Sequence, residues 1–143
     1  MYCTLADIER KRIPTETLIQ LTDDDNIGMV IEETVNGCIH DAAVIFDSYM
    51  RGRYPLPLSP VPDLAVSIVA DLAVYGIYCL RPQFEVPKTV QDRRTTALTL
   101  LARIQDGKMP LYDPIVTPPE NGSSTVQFSS ATPLFTTDTL RHY

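Results

Sequence analysis

The densest group of carboxylates in the chain lies in the segment Asp23–Glu32, within the sequence LTDDDNIGMVIEE. With Asp23 at position 1 of a calcium-binding loop, Asp25 falls at position 3 and a glycine at position 6, as an EF-hand requires. Position 5 is Ile27 and position 12 is Thr34, so one side-chain ligand and the bidentate carboxylate are missing. The spacing favours a solvated turn near the next helix, and a small metal-binding module built on Asp23–Glu32 is the alternative.

The remaining reactive side chains do not form a catalytic pattern. Cys38 and His40 are two residues apart on a predicted helix, so they point to different faces and cannot share a metal ion by themselves. The sequence contains no GxSxG, HExxH or P-loop motif and no specific nucleophile–base pair. We therefore expect a protein that is not an enzyme, with no catalytic residues, no metal centre and no cofactor.

The amino-acid composition restricts the partners that the protein can bind and the cellular compartment in which it is expected. The 143 residues are enough for a compact core, and the net charge of −6 argues against tight binding to nucleic acid, which needs clustered Lys and Arg. The three cysteines are widely spaced and form no CxxC pair, which favours reduced thiols in the cytoplasm. The first residues are charged from Asp7 onward and predict no signal peptide.

Two short helices and one long helix are predicted in the first fifty residues. Thr4 and Asp7 have the spacing of a capping box, and Pro14 suits the first turn of a second helix. The third helix has an apolar line with steps of four and three residues, widened by Ile39, Phe46 and Met50. The line consists of Ile31, Val35, Cys38, Ala42, Ile45 and Tyr49. We expect Gly52 to end this helix as a C′ glycine.

Two further helices follow the prolines. Pro62–Leu80 is apolar almost all round, with Asp63, Ser67 and Asp71 as its one polar line, so it is either central to a bundle or shared with neighbouring subunits. It is too short, and Asp71 too central, for a transmembrane span. The last helix runs from about Val86 to Asp106 and stops at Gly107. Its core face consists of Val90, Ala97, Leu101 and Ile104.

A proline-rich segment, RGRYPLPLSPVP, joins the third and fourth helices. Its PxxP spacing lacks the flanking basic residue of a ligand for proline-reading domains, and prolines stiffen a linker. We therefore predict a rigid corner, in which Pro55–Pro60 runs extended and Leu56, Leu58 and Val61 pack beneath it. The corner residues are Gly52, Tyr54, Pro55, Pro57, Pro60 and Pro62.

The chain divides by composition into a helical domain of residues 1–110 and a Pro/Ser/Thr-rich arm of residues 111–143. The arm has too few apolar residues to offset its ordering entropy, so we expect partners to order it. Its predicted interface residues are Val126, Phe128, Leu134, Phe135, Leu140 and Tyr143. The predicted fold is mainly α, a small bundle of four to five helices with an extended arm able to add a β-strand to a partner.

Several segments together resemble the Mu-like phage family of head–tail connector proteins, also called adaptor or head completion proteins. They are MYCTLADI, LIQLTD, IFDSYMRGRYPLPLSPVPDL, VADLAVYGIY and the final PLFTTDTLRHY. The resemblance covers most of the chain and is weakest between about Val86 and Val126.

This resemblance implies a structural virion protein that forms a homo-oligomeric ring of about twelve copies in the neck between head and tail. Its implied partners are the portal protein and a tail terminator or tail-tube protein, with DNA passing through the channel without specific binding. The implied location is the virion neck, reached from the host cytoplasm during assembly, with no membrane contact. A tail-side completion or terminator protein is the alternative within the same class.

Overall fold

The computed structural model describes residues 1–112 of the chain, without the side chains of Arg10 and Lys11. These residues form five helices and no strand, which confirms the prediction of a mainly α bundle. The helices are α1 (Leu5–Lys11), α2 (Thr15–Thr22), α3 (Glu32–Met50), α4 (Asp63–Cys79) and α5 (Lys88–Gln105). The predicted arm lies almost entirely outside the described residues, and its outline stays a prediction.

The predicted capping box at the start of α1 is confirmed. The backbone N–H and the hydroxyl of Thr4 both donate to one carboxylate oxygen of Asp7, at 2.9 and 2.7 Å. Such a cap occupies backbone donors that a helix start leaves unpaired. It allows a helix of only seven residues to begin at Leu5.

Three helices begin directly after a proline. Pro14, Pro62 and Pro87 occupy the N-cap positions of α2, α4 and α5, and Pro14 therefore lies one residue before the first helical turn predicted for it. The carbonyl of each proline accepts the first intrahelical bonds, for example from Leu18 and from Val66. Proline has a fixed φ and no N–H to leave unpaired, so it starts each helix at a defined residue.

Helix α4 lies at the centre of the bundle and packs against each of the other four helices. Its buried residues are distributed around most of its circumference: Ala65, Ile68, Val69, Ala70, Leu72, Ala73, Val74 and Ile77. The first of the two predicted explanations for its apolar character is therefore correct. Within residues 1–112 the chain itself covers most of α4, and a contact of its partly buried side with neighbouring subunits stays a prediction.

The core face of α3 is rotated relative to the predicted apolar line. Its buried residues are Val35, Ile39, Ala42, Phe46 and Met50. Ile45, placed in the core by the sequence pattern, is 43% exposed, and Cys38 and Tyr49 are only partly buried. The residues that the pattern assigned to the margin of the face thus form its centre, because packing against α4 and α5 sets the helix orientation.

The end of α5 has the geometry predicted for it. Gly107 adopts a positive φ of 76°, the N–H of Gly107 donates to Ile104 and the N–H of Lys108 donates to Arg103. This is the Schellman arrangement, which pairs the last carbonyls of a helix. It turns the chain back toward the bundle, where Leu111 is buried and Tyr112 partly buried. The helical unit therefore includes these two residues.

Gly52 does not act as predicted at the end of α3. It follows the C-cap residue Arg51, but it does not adopt the left-handed conformation typical of a C′ glycine. The N–H groups of Arg53 and Tyr54 instead both donate to the carbonyl of Met50, at 2.9 and 3.0 Å. The helix thus ends in a tight turn that leads directly into the corner.

Candidate functional site

Tyr2 fixes the predicted corner to α3. Its hydroxyl donates to a carboxylate oxygen of Asp47 at 2.7 Å and accepts the N–H of Leu58 at 3.5 Å. Its ring lies against Phe46, with centroids 5.2 Å apart. Burial and the hydrogen bond to Asp47 raise the pKa of the Tyr2 hydroxyl. One buried side chain therefore joins the start of the chain, the third helix and the corner.

On its other side, the corner contacts the last described residues, Leu111 and Tyr112. The hydroxyl of Tyr54 accepts the N–H of Leu111 at 3.2 Å, and the rings of Tyr54 and Tyr112 meet edge to face at 5.9 Å. The hydroxyl of Tyr112 donates to the carbonyl of Pro60 at 3.4 Å. The last described residues therefore lie against the corner.

The path of the corner differs from the extended one that we predicted. The backbone bends at residues 54, 56–57 and 59–60, and the peptide bonds before Pro57 and Pro60 are cis. Leu58 is buried beneath the corner and Leu56 is partly buried, as expected, whereas Val61 faces solvent. The corner is thus a compact bent segment anchored by leucine and tyrosine side chains.

Two adjoining grooves border the outer side of α3 and the corner. The larger has a volume of about 500 Å³ and is lined by Asp47, Arg51, Tyr54, Pro55, Leu56 and Pro57. The smaller, of about 210 Å³, is lined by Met1, Tyr2, His40, Ala43, Val44, Asp47 and Pro57. Asp47 and Pro57 line both grooves, which therefore lie side by side. They bring together three of the six predicted corner residues.

The acidic segment forms a turn in which the carboxylates of Asp23 and Asp24 have protein partners. The carboxylate of Asp23 accepts the N–H groups of Ile27 at 3.0 Å and Gly28 at 2.6 Å, and these bonds lower the pKa of Asp23. Asp24 pairs with Arg81 at 2.7 Å. Within residues 1–112, no three His, Cys, Asp or Glu side chains are grouped as a metal site would require. The geometry matches the predicted turn and lends no support to the metal-binding alternative.

Arg81, just after α4, connects two ends of the bundle. Its guanidinium donates to the carbonyls of Leu21 at 3.2 Å and Asp23 at 2.9 Å, in addition to its pair with Asp24. Carbonyls at a helix C-terminus lack intrahelical donors, and Arg81 supplies them for α2. Sequence reasoning missed this role because the partners lie about sixty positions away.

The polar line of α4 binds a single arginine. The Nε of Arg12 donates to Asp71 at 2.7 Å, and its Nη2 donates to the hydroxyl of Ser67 at 2.9 Å and to the carbonyl of Ser67 at 3.3 Å. The side chains of Arg12 and Asp71 are only 11% and 19% exposed. The sequence pattern singled out Ser67 and Asp71 without naming their partner, which follows α1.

A cation–π contact joins α5 to α4. The guanidinium of Arg94 lies 4.4 Å from the ring centre of Tyr75. The cation is attracted to the negative face of the aromatic ring. Arg94 is therefore a packing residue, whereas Arg93 and Arg103 of the same helix are exposed.

The interface residues predicted in the arm, from Val126 to Tyr143, lie outside the described residues and stay a prediction. Among residues 1–112, no helix has both the length and the hydropathy needed to cross a bilayer. Cys3, Cys38 and Cys79 are free thiols, of which Cys3 is buried and Cys79 exposed.

Comparison with protein-family models matches residues 2–129 to the family described as Bacteriophage Mu, Gp36. The matched range contains all five helices, the corner and the first part of the segment that follows Tyr112. No curated protein matches the chain.

Proposed function

Since the chain belongs to the bacteriophage Mu Gp36 family, we propose that it is a non-enzymatic head-to-tail connector. In this role it forms a ring in the neck of the virion, between the portal and the tail. The observation that carries the proposal is the family match over residues 2–129, which indicates a phage structural or morphogenesis protein. The resemblance of the corner and of the final segment to connector proteins narrows that class to a role at the joint.

The architecture of residues 1–112 suits a ring subunit. The core is covered within one chain, and the corner is held from both sides by Tyr2 and Tyr112. A subunit of this kind can meet identical neighbours as a preformed unit, with little ordering cost at assembly. Contacts between two different faces of one subunit close into a ring when the rotation between copies allows it.

The segment after Tyr112 is the proposed joining element. It leaves the helical domain beside the corner, at Tyr54 and Pro60. Its apolar residues, including Val126 and Phe128, would pair with an edge or groove of the portal, of a tail terminator or tail-tube protein, or of the next subunit. The helical domain then supplies the ring and the segment supplies the attachment.

The channel of such a ring must let DNA pass without holding it. The chain has a net charge of −6, which disfavours the phosphate contacts that bind DNA non-specifically. We propose that an acidic lumen keeps the passing DNA mobile. A strongly basic channel wall in the assembled ring would contradict this part of the proposal.

Complementation tests the proposal directly. Phage that lack this chain should accumulate DNA-filled heads and separate tails, and purified full-length protein should restore joining and infectivity. Protein truncated after Pro119 should keep its helical circular dichroism spectrum and fail to join. Joining by the truncated protein would refute the role of the segment. Normal head–tail joints in phage that lack the chain would refute the connector role itself.

A further inference from the structure

We propose that Cys38 and Cys79 form a disulfide bond between α3 and α4 when the protein meets a small-molecule disulfide such as oxidised glutathione. Both side chains are free thiols in the structure. The site lies apart from the corner and its grooves, and its chemistry does not depend on the connector role.

Cys38 packs against the one glycine of α4. A Cβ atom at Gly76 would lie 3.8 Å from the Cβ of Cys38 and 4.0 Å from its Sγ, which is ordinary van der Waals contact. The two helices therefore meet directly at this point, with the thiol of Cys38 beside the backbone of α4.

Cys79 follows Gly76 by one helical turn. Residues three apart in a helix share a face, with Cβ positions about 5–6 Å apart, so Cys79 lies next to the place where Cys38 meets α4. The electrostatics of the site agree with this placement. Burial raises the pKa of the Cys38 thiol, and charge on Asp41 and on Cys79 raises it further. Such an effect of Cys79 requires the two thiols to be neighbours, because the interaction of two charges weakens with distance.

The position of Cys79 allows the bond to close. A disulfide needs Cα atoms about 4.4–6.8 Å apart, and a small movement of one helix end can supply that separation. Cys79 is the last residue of α4, and helix ends fray more readily than helix interiors. The end of α4 can therefore adjust toward Cys38 while the rest of the helix stays packed.

The exposure of the two thiols sets the order of the reaction. Cys79 is exposed, so its thiolate attacks one sulfur of oxidised glutathione, forms a mixed disulfide and releases one glutathione. Cys38 is half-buried and reacts second. Its thiolate attacks the Sγ of Cys79 and releases the second glutathione. The two electrons reduce the glutathione disulfide, and the two protons of the protein thiols end on the two released glutathione thiols.

The bond would fasten α3 to α4 a second time. The corner already joins the end of α3 to the start of α4, and the disulfide joins α3 to the last residue of α4. It closes a loop of about forty residues, which restricts the unfolded chain and stabilises the folded one. Under the connector role, the chain is made in the reducing cytoplasm and leaves it in the released particle, so the bond forms after release.

Mass spectrometry of the purified full-length protein tests the bond. After incubation with oxidised and reduced glutathione at about pH 8, the protein should lose two hydrogen atoms, and peptide mapping should join Cys38 to Cys79. Cys38→Ser and Cys79→Ser should each abolish this product. A glutathione adduct that persists on Cys79, or a disulfide-linked dimer in place of the internal bond, would overturn the inference.

A thiol on the opposite side of α3 is the matched control. Asn36 is exposed and lies two positions before Cys38, so Cys38→Ser combined with Asn36→Cys moves the thiol away from α4. At the same glutathione ratio, this variant should form the internal bond with a yield at least about tenfold lower. An equal yield would show that proximity of Cys38 to Cys79 is not what closes the bond, and would overturn the inference.

Thermal unfolding tests whether the bond fits the folded bundle. The oxidised protein should melt about 5 °C higher than the reduced protein, and dithiothreitol should reverse the shift. An unchanged or lower melting temperature would show that the bond does not suit the packing of α3 on α4, and would overturn the inference. These measurements need only purified protein, so failure of the connector role leaves them unchanged, and absence of the bond leaves the connector role intact.

Discussion

The guanidinium of Arg12 lies 2.7 Å from the carboxylate of Asp71 and also donates to Ser67 one turn earlier. The pair connects the end of α1 to the middle of the central helix, 59 positions away along the chain. Both side chains are largely shielded from water, so neither can lose its partner without leaving a poorly solvated charge. This pair holds the short first helix on the bundle.

Arg12→Met should therefore lower the free energy of unfolding by about 2 kcal/mol, because it strands the Asp71 carboxylate. Denaturant titration followed by circular dichroism measures the change. Lys88→Met is the matched control, since its pair with Asp92 is 86% and 66% exposed and should contribute less than about 1 kcal/mol. Equal effects of the two substitutions would show that burial of the Arg12 pair is unimportant.

Tyr2→Phe should destabilise the chain by about 1 kcal/mol, because it removes the hydroxyl that binds Asp47 and Leu58 and keeps the ring against Phe46. Tyr2→Ala removes the ring as well and should cost about 3 kcal/mol or more. The two values come from the same denaturant titration. A Phe variant as unstable as the Ala variant would mean that the hydroxyl, and not the ring, anchors the corner.

Stability should fall as the pH rises from 9 to 11. Burial, with the nearby Asp7 carboxylate, raises the pKa of the Cys3 thiol from 9.0 to about 11. In this range the unfolded chain binds fewer protons than the folded chain, so the contribution of the thiol is present below pH 9 and lost as the pH passes about 11.

The loss should be about 2 kcal/mol and should be largely absent in Cys3→Ala, measured by thermal unfolding at stepped pH. Cys38 and Tyr2 also have raised pKa values, so a smaller slope should persist in the variant. A thiol reagent at pH 8 should label the exposed Cys79 quickly and Cys3 only on unfolding. An unchanged pH slope in Cys3→Ala would contradict the assignment.

Arg81→Lys should loosen the loop between α2 and α3 while the bundle stays folded. An ammonium group cannot reproduce the fork that reaches the carbonyls of Leu21 and Asp23 and the carboxylate of Asp24 together. Hydrogen exchange should speed up by about tenfold at the Ile27 and Gly28 amides, which bind Asp23, and stay unchanged in α4. Unchanged loop exchange would show that Asp23 holds the loop without Arg81.

The elements that the sequence predicted correctly depend on neighbouring residues alone. Thr4 and Asp7 form their cap within one turn, and Gly107 ends α5 through bonds to residues just before it. The apolar character of α4 likewise gave a central helix as one of its two explanations, because so wide an apolar face must be covered on most sides. Interactions of this kind join residues that are close in the sequence, so the local sequence predicts them.

What the sequence could not predict depends on distant partners. The rotation of α3, which leaves Ile45 exposed, is set by helices that follow it, and the path of the corner is set by Tyr2 and Tyr112. The partners of Arg12 and Arg81 lie more than fifty positions away. No local sequence pattern predicts these pairs, although a polar line on an apolar helix indicates that its side chains bind a polar partner.

Electron cryomicroscopy of intact particles of the phage that encodes this chain tests the connector role most directly. We expect a closed ring at the junction of head and tail, into which the α3–α4–α5 bundle fits, with the residues after Tyr112 contacting a neighbouring protein. Density for this chain only on the tail side of the joint, or its absence from the particle, would contradict it.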